Sequence, residues 1–514
     1  MQVPLVVTDF LDRAVAVYPD RIAVVDEPDH RDRPQLSSWG SVSYAELAAR
    51  ARRQAANLDR LGLGPGARVA VMSQNSARLL TSFYGVSGWG RILVPINFRL
   101  TSAEVSYIVE HSGASVLMLD PELAHLADRV TCENIFILGR DDDQIWGETG
   151  REPLSWEPDE NATGSINYTS GTTARPKGVQ LTHRNNWLNA AVLGWQVGVN
   201  DRDVYLHTLP MFHANGWGMP FAVTGMGGTH VVQRQIDGAE ILRRISEHGV
   251  TLLCAAPAVL NSVLDAAETW SGPIPGDGVT RVVAAGAPPP TRTIERIRSE
   301  LGWEFIQIYG LTETSPLLTM SRMRSEWDDL SATEQAQNLS RAGAPALGTS
   351  IKVDEFGELL VRSNHVMEGY WNNPEASDDA LAGGWFHTGD GGTFSDGYAT
   401  ILDRKKDVII SGGENVSSIE VEDALMAHPD VAEAAVIGTP DEKWGELVTA
   451  LVVLRDGSTV TAEEITAHCR ERLAGYKLPR RIEFRDSLVR TATGKLQKFK
   501  LREEFWGGKQ RQVN

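Results

Sequence analysis

Residues 168–179, YTSGTTARPKGV, bring small hydroxylated side chains, a glycine and a lysine together in one short run. Thr169, Ser170, Gly171, Thr172 and Thr173 leave backbone N–H groups accessible, and Lys177 adds a mobile positive charge. That combination suits a cradle for phosphates. A Ser/Thr-rich surface turn uses the same residue types; the length and order of this run favour the phosphate reading. In YGLTET, Tyr309 offers an aromatic face, Thr312 a hydroxyl and Glu313 a carboxylate, directly after the turn at Gly310. Taken alone, Thr312 and Glu313 also suit the first turn of a helix, and the two readings are compatible. AAGAPPP, residues 284–290, leaves room at Ala285 and Gly286 for a flat ligand against backbone, with prolines that stiffen the turn; a plain rigid loop carries equal weight. Asp390, in HTGD, offers a carboxylate acceptor or serves as a solvated loop charge. LPMFHANGWG sets His213 and Trp217 four apart, which puts both on one face if the segment is helical.

These segments need a scaffold, and the sequence describes one. Short β-branched runs alternate with helical patterns: RVAVMS from Arg68, ILVPIN from Ile92, SVLMLD from Ser115, NIFILG from Asn134, TLLCAAP from Thr251 and RVVAAG from Arg281. Such alternation predicts parallel sheets covered by helices, a layered α/β fold. Residues 44–61 read as an amphipathic helix, with Leu47, Ala51, Ala55, Leu58 and Leu61 at helical spacing. The phosphate-type loop follows the strand-like GSIN and precedes a helical pattern. DRKKD at residues 403–407, between YATIL and VIIS, reads as a polar crossing into a smaller terminal unit, with the boundary near Lys406. Residues 321–340 are polar, lack a strong apolar period and predict an exposed excursion.

Composition narrows the function classes. The 514 residues are 42% hydrophobic and 23% charged, ample for more than one packed domain. With 49 Lys and Arg against 67 Asp and Glu, the formal charge is −18, so nucleic acid is not the expected partner. Charge is uneven: residues 470–514 hold 13 basic and 5 acidic side chains. Cys132, Cys254 and Cys469 form no CxxC or Cys/His cluster, which argues against a disulfide framework or zinc site and for a reducing, cytoplasmic setting. No signal-type leader and no run of spanning length is expected, since residues 250–260 are interrupted by Pro257. Two nucleotide motifs are excluded: Lys177 precedes Gly178, the reverse of the Walker order, and GLGPG from Gly62 follows a helix instead of a strand.

The loop at 168–179 resembles the signature of the adenylate-forming superfamily, which holds the acyl-CoA synthetases, firefly luciferase and the adenylation domains of peptide synthetases. AAGAPPP, YGLTET, WFHTGD, DRKKDVIISGGENVSSIEVE and RTATGK follow in the family's order, from residue 168 to Lys495. The resemblance implies a large N-terminal AMP-binding domain over residues 1–405 and a small mobile α+β domain over residues 406–514. It implies an acid–CoA ligase that joins a carboxylic acid to ATP as an acyl-adenylate and then passes the acyl group to the thiol of coenzyme A. By similarity, Gly286, Ala287 and Pro288 border adenine, Tyr309 stacks on it, Thr312 touches the α-phosphate and Glu313 helps hold Mg²⁺, while Asp390 and Arg404 reach ribose and phosphates. His213, Trp217, Gly218, Ala285 and Gly286 are placed at the acyl pocket, and the FHxNGW run points to aliphatic acids. Lys495 becomes the adenylation lysine, Lys406 the hinge, and Ser411, Gly412, Gly413 and Lys477 the CoA-facing set, with Arg480 and Arg481 near the CoA phosphates. A homodimer is common among such relatives.

Two positions depart from the pattern. Ala174 stands where the family loop ends in glycine; if that position needs a positive φ, alanine costs roughly 1–2 kcal/mol, about tenfold in rate. Val489 replaces the proline that commonly precedes RTxxGK. A full ligase is expected because Lys177, Thr312, Glu313, Asp390, Arg404 and Lys495 are all present. The alternatives are a split ligase that mainly forms thioester from a preformed adenylate, and a non-catalytic ligand-binding relative.

Overall fold

The computed structural model describes residues 1–26, 38–169, 175–404, 407–412, 414–441, 444–491 and 496–507. Each of the six β-branched runs is a strand, at Arg68–Met72, Ile92–Ile96, Val116–Leu119, Asn134–Ile137, Leu252–Ala255 and Arg281–Ala284. The first four belong to a seven-stranded sheet and the last two to a nine-stranded sheet, and all pair in parallel. Side chains alternate across a strand, so each run feeds two cores. Val69 and Val71 face a core shared with Leu252, Cys254 and Val283 of the other sheet. Ala70 and Met72 face a second core on the far side of the seven-stranded sheet. Leu253, Ala255, Val282 and Ala284 face a third, on the far side of the nine-stranded sheet. Helices fill the middle layer: Tyr44–Arg60 buries Tyr44, Leu47, Ala51 and Leu58 there, capped by the Ser43 hydroxyl, which accepts from the Glu46 N–H. Full burial of side chains of this size contributes roughly 1.5–3 kcal/mol each, which explains why continuous apolar strands are the sequence signature of sheets covered on both faces.

A four-stranded antiparallel sheet follows, ending in the hairpin Phe386–Ser395 with Tyr398–Arg404. The next strand, Ile409–Ser411, pairs with Gly445–Leu454 in a separate five-stranded sheet. That sheet carries the small C-terminal domain, whose cores lie on its two faces: Val436, Val448, Ala450 and Val452 on one, Ala435, Ile437 and Leu451 on the other.

Two expectations are corrected. Residues 321–340 are not an exposed excursion: the helix Ala332–Ser340 buries Ala336 and Leu339 fully, and Trp327 packs in the same core. Its apolar contacts are few but all land on one face, too sparse a pattern to register as a period. The phosphate-type run is not a strand-to-helix turn either. It joins two antiparallel strands, Thr163–Thr169 and Lys177–Thr182, and the helix His183–Val197 begins only after the second.

Candidate active site

Neighbouring parallel strands deliver the chemistry to one edge. Val204–His207, Leu252–Ala255, Arg281–Ala284 and Glu304–Gly310 lie side by side in the nine-stranded sheet. Their carboxyl ends release residues 208–218, 285–290 and 311–314 on the same side, where open α/β sheets bind ligands.

Tyr309 closes its strand half-buried, and its hydroxyl donates to Asp390 Oδ2 at 2.8 Å. Arg404 faces Asp390 across the hairpin, with Nε 3.4 Å from Oδ1. Burial first, then the charge of Asp390, pushes the Tyr309 phenol well above its ordinary value, so it remains a donor. Gly310 is required by space: an added Cβ would sit 1.5 Å from the Pro316 carbonyl oxygen. Beyond it, Thr312 is buried and Glu313 is fixed at two points. Its carbonyl accepts from the Met367 N–H at 2.7 Å, and its Oε1 accepts from the Tyr370 hydroxyl at 3.0 Å. The Lys177 ammonium lies over the Tyr370 ring, 4.7 Å from its centroid. Lys177, Tyr370 and Glu313 thus form a connected row from the hairpin base to the LTET turn, one the sequence reading did not include because Tyr370 lies in no recognised segment. Burial and the adjacent Glu313 charge keep the Tyr370 phenol protonated.

Thr169 pairs with Lys177 across the hairpin, so residues 170–174 join its arms; Ser170, Gly171, Thr172, Thr173 and Ala174 themselves lie outside the described residues. The helix Ser102–Ser112 grips both arms. Tyr107 donates to the Pro176 carbonyl at 3.3 Å, and His111 Nδ1 meets the Tyr168 hydroxyl at 2.8 Å. Arg175 lies over the Tyr107 ring, and these residues with Lys177, Trp371 and Asn373 line a cavity of about 130 Å³.

The segment with His213 and Trp217 turns the opposite way from an ordinary helix. Ala214, Asn215, Gly216 and Trp217 all have φ between 45° and 59°, and Gly218 has φ 81°. Two of these, Ala214 and Trp217, are neither glycine nor asparagine, and each costs roughly 1–2 kcal/mol in the left-handed region, so the turn persists only because its surroundings dictate it. Buried asparagines do so. Asn215 Oδ1 accepts from Asn167 Nδ2 at 3.0 Å, and Asn215 Nδ2 donates to Ser165 Oγ and to Asn186 Oδ1, both at 2.8 Å. Asn189 donates to the Trp217 carbonyl at 3.2 Å and accepts from the Leu317 N–H at 3.0 Å. The sequence carried a signal for this network: asparagine within the strand GSINYT and along the helix NNWLNA, where exposed turns are its usual home. Trp217 packs in the shared core with Leu209, Ala285 and Ile308, while His213 is half-buried. Gly286 turns with φ 97°, Ala287 is half-buried and Pro288 is exposed.

The CoA-facing candidates bond within the small domain. Ser411 pairs with Glu414 and Gly445. The Gly412 N–H donates to the Trp444 carbonyl at 2.8 Å, and a Cβ there would lie 2.7 Å from the Trp444 ring, so the glycine admits an indole. Arg480 covers that ring at 4.2 Å; Lys477 pairs with Glu420 at 2.6 Å, and Arg481 with Glu483. Gly413, the hinge candidate Lys406 and the adenylation candidate Lys495 lie outside the described residues. The small domain reaches the end of the 284–290 loop through Asp423, which accepts from the Thr291 N–H at 2.9 Å.

The model of the AMP-binding enzyme family matches residues 11–371, and that of the AMP-binding enzyme C-terminal domain matches residues 420–495. The chain belongs to the AMP-binding enzymes. The curated 2-methylpropanoate–CoA ligase of Humulus lupulus is 37% identical over 97% of this chain and 95% of its own. The 4-hydroxybutyrate–CoA ligase of Metallosphaera sedula is also 37% identical, over 96% and 93%. Among solved structures, the anthranilate CoA ligase in complex with anthranoyl-AMP superposes with a TM-score of 0.86 at 28% identity, covering 98% of this chain and 99% of that one. The fold is that of the adenylate-forming ligases, and this AMP-binding enzyme is an AMP-forming acid–CoA ligase.

Proposed function

We propose that this ligase activates short aliphatic carboxylic acids with Mg²⁺ and ATP and hands the acyl group to coenzyme A. The observation that carries the reading is the convergence of the Lys177–Tyr370–Glu313 row and the Tyr309–Asp390–Arg404 cluster at the strand ends that also bear the His213 turn. A carboxylate oxygen of the acid attacks the α-phosphorus of ATP, and pyrophosphate leaves. Lys177 and the hairpin tip around Thr169 hold the phosphates, Thr312 borders the α-phosphate, and Lys495 neutralises charge as it develops between carboxylate and phosphate. Tyr309 and the loop at Gly286, Ala287 and Pro288 flank adenine, and Asp390 accepts from ribose hydroxyls. The thiol sulfur of CoA then attacks the acyl carbon, losing its proton as AMP departs.

The single carboxylate of Glu313 fits Mg²⁺, which takes one or two protein oxygens beside nucleotide phosphates. In such a site nucleotide phosphates and waters supply the rest of the ion's shell. Glu313→Gln is expected to raise the Mg²⁺ concentration for half-maximal adenylation at least about tenfold, the loss of one charge in a partly shielded site; titration of pyrophosphate exchange with Mg²⁺ checks it.

The boundary between the proposed domains, residues 1–405 and 406–514, supported by the change of sheet between Arg404 and Ile409, makes Lys406 the hinge about which Ser411, Gly412 and Gly413 replace Lys495 at the site. The aliphatic assignment is supported by relatives named for 2-methylpropanoate, 4-hydroxybutyrate and, in Arabidopsis thaliana, acetate and butyrate, and by the shared apolar core that holds Trp217 and Ala285. No helix among the described residues is long and apolar enough to cross a membrane, and the three cysteines are unpaired, which supports a reducing compartment, proposed as the cytoplasm. The test is a panel of acids assayed for acyl-CoA: kcat/KM for butyrate or 2-methylpropanoate is expected to exceed that for trans-cinnamate at least about tenfold, and the reverse order would overturn the aliphatic reading.

A second reading, a ligase weak in adenylation, rests on Ala174 alone. Ala174→Gly is then expected to raise the adenylation rate up to about tenfold without changing thioester formation from a preformed acyl-adenylate. An unchanged adenylation rate would remove that reading.

A further inference from the structure

Asn215 is buried, and its side chain bonds to the strand Thr163–Thr169 and to the helix His183–Val197. Its amide is fully satisfied, with one bond accepted from Asn167 and two donated, to Ser165 and Asn186. Ser165 in turn donates to Asn167 Oδ1 at 3.0 Å, and Asn186 donates to the Thr182 carbonyl at 3.0 Å. Ser165 and Asn167 sit on the strand Thr163–Thr169 that ends in the hairpin tip, while Thr182 ends the returning strand. One asparagine in the middle of a left-handed turn is therefore bonded directly to the first arm of the hairpin and to the helix beyond it, and through Asn186 to the end of the second arm. A second tie, from Asn189 to the Trp217 carbonyl, holds the end of the same turn and reaches the Leu317 N–H just past the LTET segment.

We propose that Asn215 is a positioning residue for adenylation: it fixes the His213–Trp217 turn against the hairpin, and so sets where the acid carboxylate stands relative to the α-phosphate. The inference rests on the reading that this turn lines the acid pocket and that the hairpin tip takes the phosphates. The backbone supports an active hold. Ala214 and Trp217 occupy a left-handed conformation that L-residues other than asparagine and aspartate seldom adopt, and the Asn215 amide bonds help hold it. Misplacement by about 1 Å costs on the order of 10²-fold in a step that depends on near-attack geometry.

Asn215→Ala is expected to lower kcat for acid-dependent pyrophosphate exchange by roughly 10–100-fold and to raise KM for the acid. KM for ATP should change less than about threefold, and thioester formation from preformed acyl-adenylate should be largely kept, because there the acyl–phosphate bond already exists. Adding Ala214→Gly, which removes one left-handed penalty, should restore part of the lost rate; a residue needed only for folding would not give this split between the half-reactions. If Asn215→Ala does not fold, Asn186→Ala, which deletes one of its two acceptors, carries the same expectation at about fivefold. Equal loss in both half-reactions, or adenylation within about twofold of the parent, overturns the inference. Trp217→Ala separates the premises: a changed order of acid preferences with normal Asn215→Ala kinetics sinks the positioning role alone, whereas an unchanged order sinks the acid-pocket reading beneath it.

Discussion

Lys495→Ala is expected to lower acyl-adenylate formation by about 10²–10³-fold, the usual effect of deleting one preorganised donor at a site of developing charge. Thioester formation from a supplied acyl-adenylate should stay within about threefold of the parent enzyme, because the proposed lysine acts on the carboxylate and α-phosphate before pyrophosphate leaves. The lysine stands in the small-residue run TATGK, within a tail where several cations among the described residues are engaged elsewhere: Lys477 with Glu420, Arg485 with Glu483 and Glu504, and Lys498 with Glu422. A charge-only role in the tail would make Lys495→Ala silent in both half-reactions. Stopped-flow or single-turnover measurement of each half-reaction distinguishes the two.

Asp390→Ala should act differently. Its carboxylate is buried, receives the Tyr309 hydroxyl and faces Arg404. If it also accepts from ribose hydroxyls, its removal deletes charge-assisted hydrogen bonds of roughly 1.5–3 kcal/mol each, so KM for ATP is expected to rise by about 10²-fold. Because the acyl-adenylate carries the same ribose, the second half-reaction should weaken as well, in contrast to Lys495→Ala. Tyr309→Phe keeps the carboxylate and should cost less than Asp390→Ala. Isothermal titration with AMP and steady-state kinetics with ATP check the order of these effects.

The layered fold was readable because buried parallel strands leave continuous apolar runs, and all six such runs in the sequence are strands. The hairpin setting of the phosphate-type loop was not, because KGVQLT is short and borders a capped helix, so the strand and the helix merge in a linear reading. The helix at Ala332–Ser340 was missed because two buried apolar side chains do not make a period. At the candidate site, residues in compact motifs, such as Tyr309, Glu313 and Asp390, could be named in advance. Tyr370 and the particular partners of the asparagines at 167, 186, 189 and 215 could not, since they lie between 28 and 57 positions apart in the Asn186–Asn215, Asn167–Asn215, Asn189–Trp217 and Tyr370–Glu313 contacts, where spacing along the chain says nothing. The left-handed turn was likewise hidden, because FHANGW has a helical spacing whichever hand it takes.

The central claim is that the acid is activated as an acyl-adenylate, and an oxygen label reads this directly. The enzyme would be supplied with Mg²⁺, ATP, CoA and butyrate labelled with oxygen-18 in both carboxylate positions, and the products weighed by mass spectrometry. Attack of a carboxylate oxygen on the α-phosphorus predicts acyl-CoA, unlabelled pyrophosphate and AMP carrying one heavy oxygen for each thioester formed. Formation of ADP with labelled phosphate, or of thioester with unlabelled AMP, would contradict it.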